Sequence, residues 1–200
     1  MAISAEQVKA LRDRTGAGFG DCKAALAETG GNMDDAVMVL RKRGVLQAAK
    51  RAGRATRQGM VGSYIHMGGK IGVLVEVNCE SDFVARTDDF QTLVKEIAMQ
   101  IAAAEPRFVR REDVPVEERD KEREIYRAQV AAAGKPPQVV EKIVEGKLEA
   151  YYQRVVLLDQ PSIRDQSVTV SQLVAQAAAK TGEHIAVSRF ARFRLGETQE

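Results

Sequence analysis

The residue types that could do chemistry are concentrated between residues 79 and 89. This stretch contains four acids: Glu80, Asp82, Asp88 and Asp89. His66 lies upstream of them and could add an imidazole nitrogen. They could be drawn as a metal cluster, but a hard cation needs several oxygens that converge on one point, and spacing along a loop does not establish that. Asp88 and Asp89 also suit the start of a helix. We therefore predict no metal site and no cofactor.

The sequence lacks the common catalytic motifs. It has no Walker-type glycine loop, no HExxH and no CxxC pair. Ser81 has no evident base beside it, so nothing supports a nucleophile there. Cys22 and Cys79 lie on apolar faces, which is typical of small buried hydrophobic residues.

The pair Asp82-Phe83 is the remaining candidate. It lies in a short connection between a predicted strand and an amphipathic helix, where rigid elements hold side chains that still reach outward. A carboxylate beside a large aromatic ring suits a wedge into another protein. Alternatively, Phe83 folds back into the core and Asp82 caps the turn. The spacing alone leaves both possibilities open.

Two predicted elements must position this pair. Before it, residues 60–66 and 71–78 alternate as a β-hairpin, and Gly68-Gly69 forms the turn because glycine tolerates positive φ. After it, Thr87 or Asp88 can cap a helix. Its apolar residues follow helical spacing: Phe90, Leu93, Val94, Ile97, Ala98, Ile101 and Ala102.

Residues 1–45 predict a compact three-helix module. We expect Asp21 to cap its second helix and Gly44 to end its third. Because three short helices bury little area, the module suits docking better than catalysis. A basic stretch, 46–58, follows as a linker. It is either a solvated helical segment or a strip that contacts an acidic partner or RNA.

Residues 59–200 predict an α+β core. It contains an antiparallel sheet with packed helices and a projecting helical hairpin, 112–155, whose helices meet at Gly134-Lys135-Pro136-Pro137. Short strands are expected at Phe108–Val109 and Val155–Leu158. A helix and a last strand complete the core, at Val170–Lys180 and Ile185–Arg194.

Composition excludes several classes of protein. The 30 basic and 28 acidic residues give a net charge of +2, which argues against a histone-like protein. No apolar stretch approaches the roughly 18 residues that a membrane span needs. The first residues lack a signal-peptide pattern, so we expect a cytoplasmic location. Two cysteines are too few for a disulfide scaffold.

Two long segments resemble the signatures of bacterial translation elongation factor Ts. They are Leu11–Leu26 and Glu76–Arg86, and the stretches Gly134-Lys135-Pro136 and Gln160-Pro161 look like its coiled-coil region. The order and spacing agree over nearly the whole chain. The resemblance implies an N-terminal module similar to ubiquitin-associated domains, then an α+β core with antiparallel strands and a helical hairpin.

The resemblance also implies a function, which is guanine-nucleotide exchange on elongation factor Tu during protein synthesis. Such a factor releases GDP without making or breaking a covalent bond. The family pattern assigns the disturbance of the partner's Mg²⁺ site to Asp82 and Phe83, framed by Ser81 and Val84. Docking on the partner is assigned to two positions in the first signature, Arg12 and Phe19.

Two positions depart from the family pattern. Ser81 stands where threonine is usual, and Gly20 stands where a second large apolar residue is usual. The chain has room for one of the two α+β halves of longer members, so we expect it to form a homodimer. The alternative function is RNA or ribosome binding through the basic segment 41–57. The small net charge weakens this alternative, and we expect no direct nucleic-acid binding and no membrane association.

Overall fold

The structure is a computed structural model that describes residues 3–131 and 136–197. The chain divides into two compact units. The first comprises Met1–Val61, Glu76–Val94 and Gln172–Val187, and the second comprises Gly62–Val75, Lys95–Ser171 and Ser188–Glu200. The expected division into 1–45, 46–58 and 59–200 stays a prediction.

The N-terminal part of the first unit is a three-helix module, as predicted. Its helices are α1 (Ala5–Thr15), α2 (Phe19–Glu28) and α3 (Met33–Arg51). Ser4 caps α1, because its hydroxyl accepts a hydrogen bond from the Gln7 amide and the Gln7 side chain accepts one from the Ser4 amide. The helices share one apolar cluster of buried residues: Val8, Leu11, Cys22, Ala25, Leu26, Ala36 and Val37.

Two predicted helix boundaries in this module are wrong. Helix α2 begins at Phe19 and its N-cap is Gly18, so Asp21 lies inside the first turn, where a carboxylate favours the helix dipole. Helix α3 does not end at Gly44 but continues to Arg51. A glycine ends a helix when it adopts positive φ, and Gly44 does not. Instead Gly44 is buried, and a Cβ there would lie 3.7 Å from the Cβ of Ala179.

Three strands form one antiparallel sheet in the order β1-β2-β3, which confirms the α+β class. They are β1 (Gln58–Ile65), β2 (Ile71–Cys79) and β3 (Ala186–Arg194). The predicted turn is confirmed, since Gly68 and Gly69 both have positive φ. Alternate residues of β2 are buried, which gives the strand one core face: Val73, Val75, Val77 and Cys79.

Helices follow β2 and precede β3. After β2 come the single turn α4 (Asp82–Ala85) and then α5 (Asp88–Ala104), and α8 (Val170–Thr181) precedes β3. Every apolar residue predicted to face inward on α5 is buried, at 5% exposure or less. The predicted cap is also present, because the Phe90 amide donates to the Thr87 hydroxyl at 3.3 Å.

The second unit contains the predicted helical hairpin, formed by α6 (Val116–Ala131) and α7 (Pro137–Val155). The predicted meeting point, Gly134-Lys135, lies outside the described residues. The two helices bury a shared cluster of apolar residues: Val130, Val140, Val144 and Leu148. None of the helices in the described part of the chain is long and apolar enough to cross a membrane.

The two short strands expected beside the hairpin are wrong. Phe108 makes only an isolated parallel bridge with Val156. Helix α7 continues to Val155, and Leu157–Asp159 form a 3₁₀ turn. An apolar run of four residues suits a buried helix end as well as a buried strand, so periodicity could not separate the two.

Candidate functional site

The four predicted contact residues, Ser81 to Val84, lie together at the end of β2. Ser81 is the N-cap of α4, with extended backbone, and its hydroxyl accepts a weak hydrogen bond from the Val84 amide at 3.4 Å. Helix α4 is only four residues long, because Thr87 caps the next helix, α5, which begins at Asp88. The Thr87 hydroxyl donates to the Val84 carbonyl at 2.7 Å. The chain therefore turns sharply between two rigid elements.

Phe83 is exposed at the tip of this turn, with 78% of its surface accessible. Its side chain therefore does not fold back into the core. Asp82 is half-buried, and it does not cap the turn, because the hydroxyl of Ser81 does. The Asp82 carboxylate instead accepts a hydrogen bond from the Arg86 guanidinium at 2.8 Å, one helical turn away.

A carboxylate from a distant part of the chain anchors the turn. Oε2 of Glu183 accepts hydrogen bonds from the Glu80 amide at 3.1 Å and the Ser81 amide at 3.0 Å. Its Oε1 accepts one from the Ser81 hydroxyl at 2.6 Å. Sequence reasoning missed Glu183, because it lies about a hundred residues further along the chain. The only local signal is its place beside Gly182, which follows α8 and has positive φ.

The anchoring is reciprocal. Oε1 of Glu80 accepts a hydrogen bond from the His184 amide at 2.6 Å, and the Arg54 guanidinium donates to the same oxygen at 3.3 Å. The bond from His184 is the main cause of a pKa of Glu80 below its usual value of 4.5. The imidazole Nδ1 of His184 is 2.9 Å from the Arg54 carbonyl oxygen. Each of the two segments, Glu80-Ser81 and Glu183-His184, thus provides a carboxylate that accepts hydrogen bonds from backbone amides of the other.

Cys79 adds a further contact beneath the turn. Its thiol is fully buried and donates to the Ser81 carbonyl at 3.1 Å. Burial raises the pKa of this thiol, so it stays protonated. Cys79 is therefore a packing residue, as its place on an apolar face predicts.

The two predicted docking residues lie on the three-helix module rather than on the turn. Arg12 is exposed near the end of α1, and Phe19 begins α2 with 54% of its surface accessible. Between them, Gly16 has φ +66°, and the aliphatic part of Lys180 lies so close that a Cβ at Gly16 would be 2.3 Å from Cε. A Cβ on Gly20 would meet nothing within 4 Å. The surface beside Phe19 is therefore open at Gly20.

Three arginines of the basic segment 41–57 bind their own chain. Arg43 pairs with Glu28 at 2.5 Å, and Arg54 pairs with Glu80. The Arg51 guanidinium donates to the Ala178 carbonyl at 3.1 Å. These contacts use charges that the alternative function would need for phosphate binding.

His66 and three of the four acids that could be drawn as a metal cluster have other contacts, among them Asp82 with Arg86 and Asp89 with Lys180. His66 Nδ1 is 3.0 Å from the Tyr64 hydroxyl, and Glu80 holds the His184 amide. Within residues 3–131 and 136–197, no group of three or more His, Cys, Asp or Glu side chains could hold a metal ion. The expectation that the protein binds no metal or cofactor stays a prediction.

A second exposed surface lies on the sheet within the second unit. The His66 amide bonds to the Ile71 carbonyl and the Leu195 amide to the Lys70 carbonyl. This register places Ile65, Gly72 and Phe193 side by side across the three strands, on one face. Ile65 is 67% and Phe193 is 56% exposed. Further exposed apolar residues adjoin them: Met67, Leu74 and Leu195.

Comparisons with known proteins identify the family of the chain. The family model described as "Elongation factor TS" matches residues 31–197. Elongation factor Ts of Koribacter versatilis is 57% identical over the whole chain, which covers 91% of that protein. Elongation factor Ts of Fervidobacterium nodosum is 57% identical over 98% of the chain and 100% of its own length.

A third relative, elongation factor Ts of Geobacter sulfurreducens, is 54% identical over the whole chain and 93% of its own length. The matched part of the chain includes the turn at Ser81–Val84 and the Glu183 anchor. The chain belongs to the elongation factor Ts family, which confirms the resemblance that the two sequence signatures indicate.

Proposed function

We propose that the chain is a guanine-nucleotide exchange factor that binds elongation factor Tu with GDP and accelerates GDP release during protein synthesis. Family membership and the names of the relatives support this proposal. The observation that carries the mechanism is the exposure of Phe83 at the tip of an anchored turn. A large apolar side chain held rigidly in solvent is suited to insertion into a partner.

The wedge acts on the partner's nucleotide site. A GTPase holds GDP through a phosphate cradle and a Mg²⁺ ion that demands near-octahedral geometry. Phe83 inserts between elements of the partner close to that site, and the displaced element carries Mg²⁺ ligands away with it. The ion then loses its support, and GDP leaves faster. Ser81 and Val84 frame the wedge and set its direction.

Asp82 holds the displaced element through a hydrogen bond from the partner. To do so, its carboxylate must turn away from Arg86. The cost is small, because the side chains of Asp82 and Arg86 are 48% and 76% exposed and exposed ion pairs contribute only about 0–1 kcal/mol. Arg86 thus keeps Asp82 ordered in the free protein and releases it on binding.

Docking and wedging are separate tasks in this proposal. Arg12 and Phe19 bind the partner through the three-helix module, and Asp82 and Phe83 act afterwards on the nucleotide site. No covalent bond changes, so the protein is not an enzyme of covalent chemistry. By thermodynamic linkage, the exchange factor and the nucleotide weaken each other's binding by the same factor. A partner in protein synthesis also implies a cytoplasmic location.

We propose further that the exposed sheet face binds a second copy of this chain. The row of Ile65 and Phe193 beside Gly72 is apolar on a strand face that would otherwise meet water. A two-fold dimer brings the same patch of each copy together. Two chains then supply the two α+β halves that longer family members carry in one.

Release of a fluorescent GDP analogue from elongation factor Tu tests the exchange activity. The wild-type chain is expected to accelerate release. In the double variant Asp82→Ala with Phe83→Ala, the stimulated release rate should be lower by at least about tenfold, equivalent to roughly 1.4 kcal/mol of barrier. Met38→Ala provides a control at an exposed apolar residue on α3, outside the turn and the sheet face, and it should keep the release rate at saturating protein. A double variant as active as wild type would rule out the wedge.

A further inference from the structure

Glu183, which anchors the wedge turn, lies outside both signature segments, Leu11–Leu26 and Glu76–Arg86. Glu183 receives three hydrogen bonds from two adjacent residues of the turn, namely the Glu80 and Ser81 amides and the Ser81 hydroxyl. We infer that Glu183 is a positioning residue for nucleotide exchange: it fixes the Ser81–Val84 turn so that Phe83 projects in its inserting orientation. This inference rests on the proposed exchange function.

The hydrogen bonds to Glu183 restrain the backbone at the point where the chain leaves β2. Both oxygens of the Glu183 carboxylate are used, one by two backbone amides and the other by the 2.6 Å bond from the Ser81 hydroxyl. Bonds that involve a charged group are stronger than bonds between neutral groups. They fix the backbone at Glu80 and Ser81, and this sets the direction in which α4 begins.

Ser81 connects Glu183 to the turn by hydrogen bonds. Its hydroxyl donates to Glu183 and also accepts from the Val84 amide. A hydroxyl can do both at once, so the carboxylate, Ser81 and the first turn of α4 form one chain of hydrogen bonds. A Ser81→Thr variant would keep the same hydroxyl and therefore the anchor.

The exposed tip needs this external support. Phe83 is 78% exposed, so its own packing does little to hold it. A wedge that must be ordered during insertion loses conformational entropy at that step, and rigid placement beforehand removes the cost. The reciprocal bond from the His184 amide to Glu80 ties the same two segments a second time. The anchor therefore acts on the rate of release and leaves docking on the partner unchanged.

A saturation experiment separates positioning from docking. GDP release from elongation factor Tu is measured against increasing concentrations of each variant, which gives a maximal rate and a half-saturating concentration. Glu183→Ala should lower the maximal rate about tenfold and leave the half-saturating concentration unchanged. Glu183→Gln should recover most of the rate, because the amide oxygen can accept from both backbone amides while the amide nitrogen donates to Ser81.

The matched control is Glu96→Ala. The Glu96 side chain is 22% exposed and pairs with Arg164, away from the turn in sequence and in the other compact unit. It should keep the wild-type maximal rate. If Glu183→Ala fails to fold, as judged by circular dichroism, Ser81→Ala replaces it. Ser81→Ala removes only the hydroxyl, and we expect a smaller loss in the maximal rate, about threefold.

A combined variant decides between positioning and a general loss of stability. In an Asp82→Ala/Phe83→Ala background, Glu183→Ala should cause no further loss, because no wedge remains to be positioned. Equal losses in both backgrounds, or a wild-type maximal rate for Glu183→Ala or for its substitute Ser81→Ala, would overturn the inference. If the wild-type chain itself fails to accelerate release, the proposed function fails instead, so the two failures are distinguishable.

Discussion

Substitution of Phe19 tests whether the three-helix module docks independently of the wedge. Phe19 begins α2 and is 54% exposed. A phenylalanine contributes about 200 Å² when fully buried, so about 100 Å² of Phe19 is free for a partner to cover. At about 25 cal/mol per Å², full coverage contributes roughly 2.5 kcal/mol and half coverage roughly 1.3 kcal/mol.

Phe19→Ala should therefore raise the half-saturating concentration in the GDP-release assay by about tenfold or more. The maximal rate at saturation should stay at the wild-type value, because Asp82 and Phe83 are intact. Met38→Ala is a matched control, since Met38 lies on α3 of the same module, has a similar exposure of 51% and is outside the signature. An unchanged half-saturating concentration for Phe19→Ala, or a lower maximal rate, would refute the assignment of docking to this residue.

Two further predictions concern stability and assembly. The Tyr151 hydroxyl donates to Glu118 at 2.5 Å and holds the pKa of that carboxyl below 4.5. The resulting stabilisation is complete above 4.5 and is lost as the pH falls through the folded-state pKa. In urea unfolding, the free energy of unfolding of Glu118→Gln should therefore fall less between neutral and acidic pH than that of the wild type. An equal fall in both proteins would contradict this. Phe193→Asp should shift the chain from dimer to monomer in sedimentation, and an unchanged dimer would exclude the sheet face.

Local patterns predicted the elements that have one strong signal along the sequence. The spacing of apolar residues from Phe90 to Ala102 matches the buried face of α5, and Gly68-Gly69 correctly marks the hairpin turn. The errors arose where a residue's role depends on distant packing. Gly44 would end an isolated helix, but it is buried close to Ala179, and α3 continues through it.

The same limit applies to the candidate site. The sequence placed Asp82 and Phe83 between two rigid elements, but it left open whether the ring faces the core or solvent. That choice depends on the direction of the chain after β2, which Glu183 helps to set from more than a hundred residues away. A periodic pattern carries no information about such a contact. The sequence therefore located the turn, and only the three-dimensional structure revealed what anchors it.

In the proposed mechanism, the Asp82-Phe83 turn acts on the partner's Mg²⁺ site. The most direct measurement compares stimulated with spontaneous GDP release from elongation factor Tu, first in excess Mg²⁺ and then after chelation. If the turn works by removing support from the ion, chelation speeds spontaneous release and the ratio of the two rates should fall by at least about tenfold. The same ratio with and without Mg²⁺ would contradict the account.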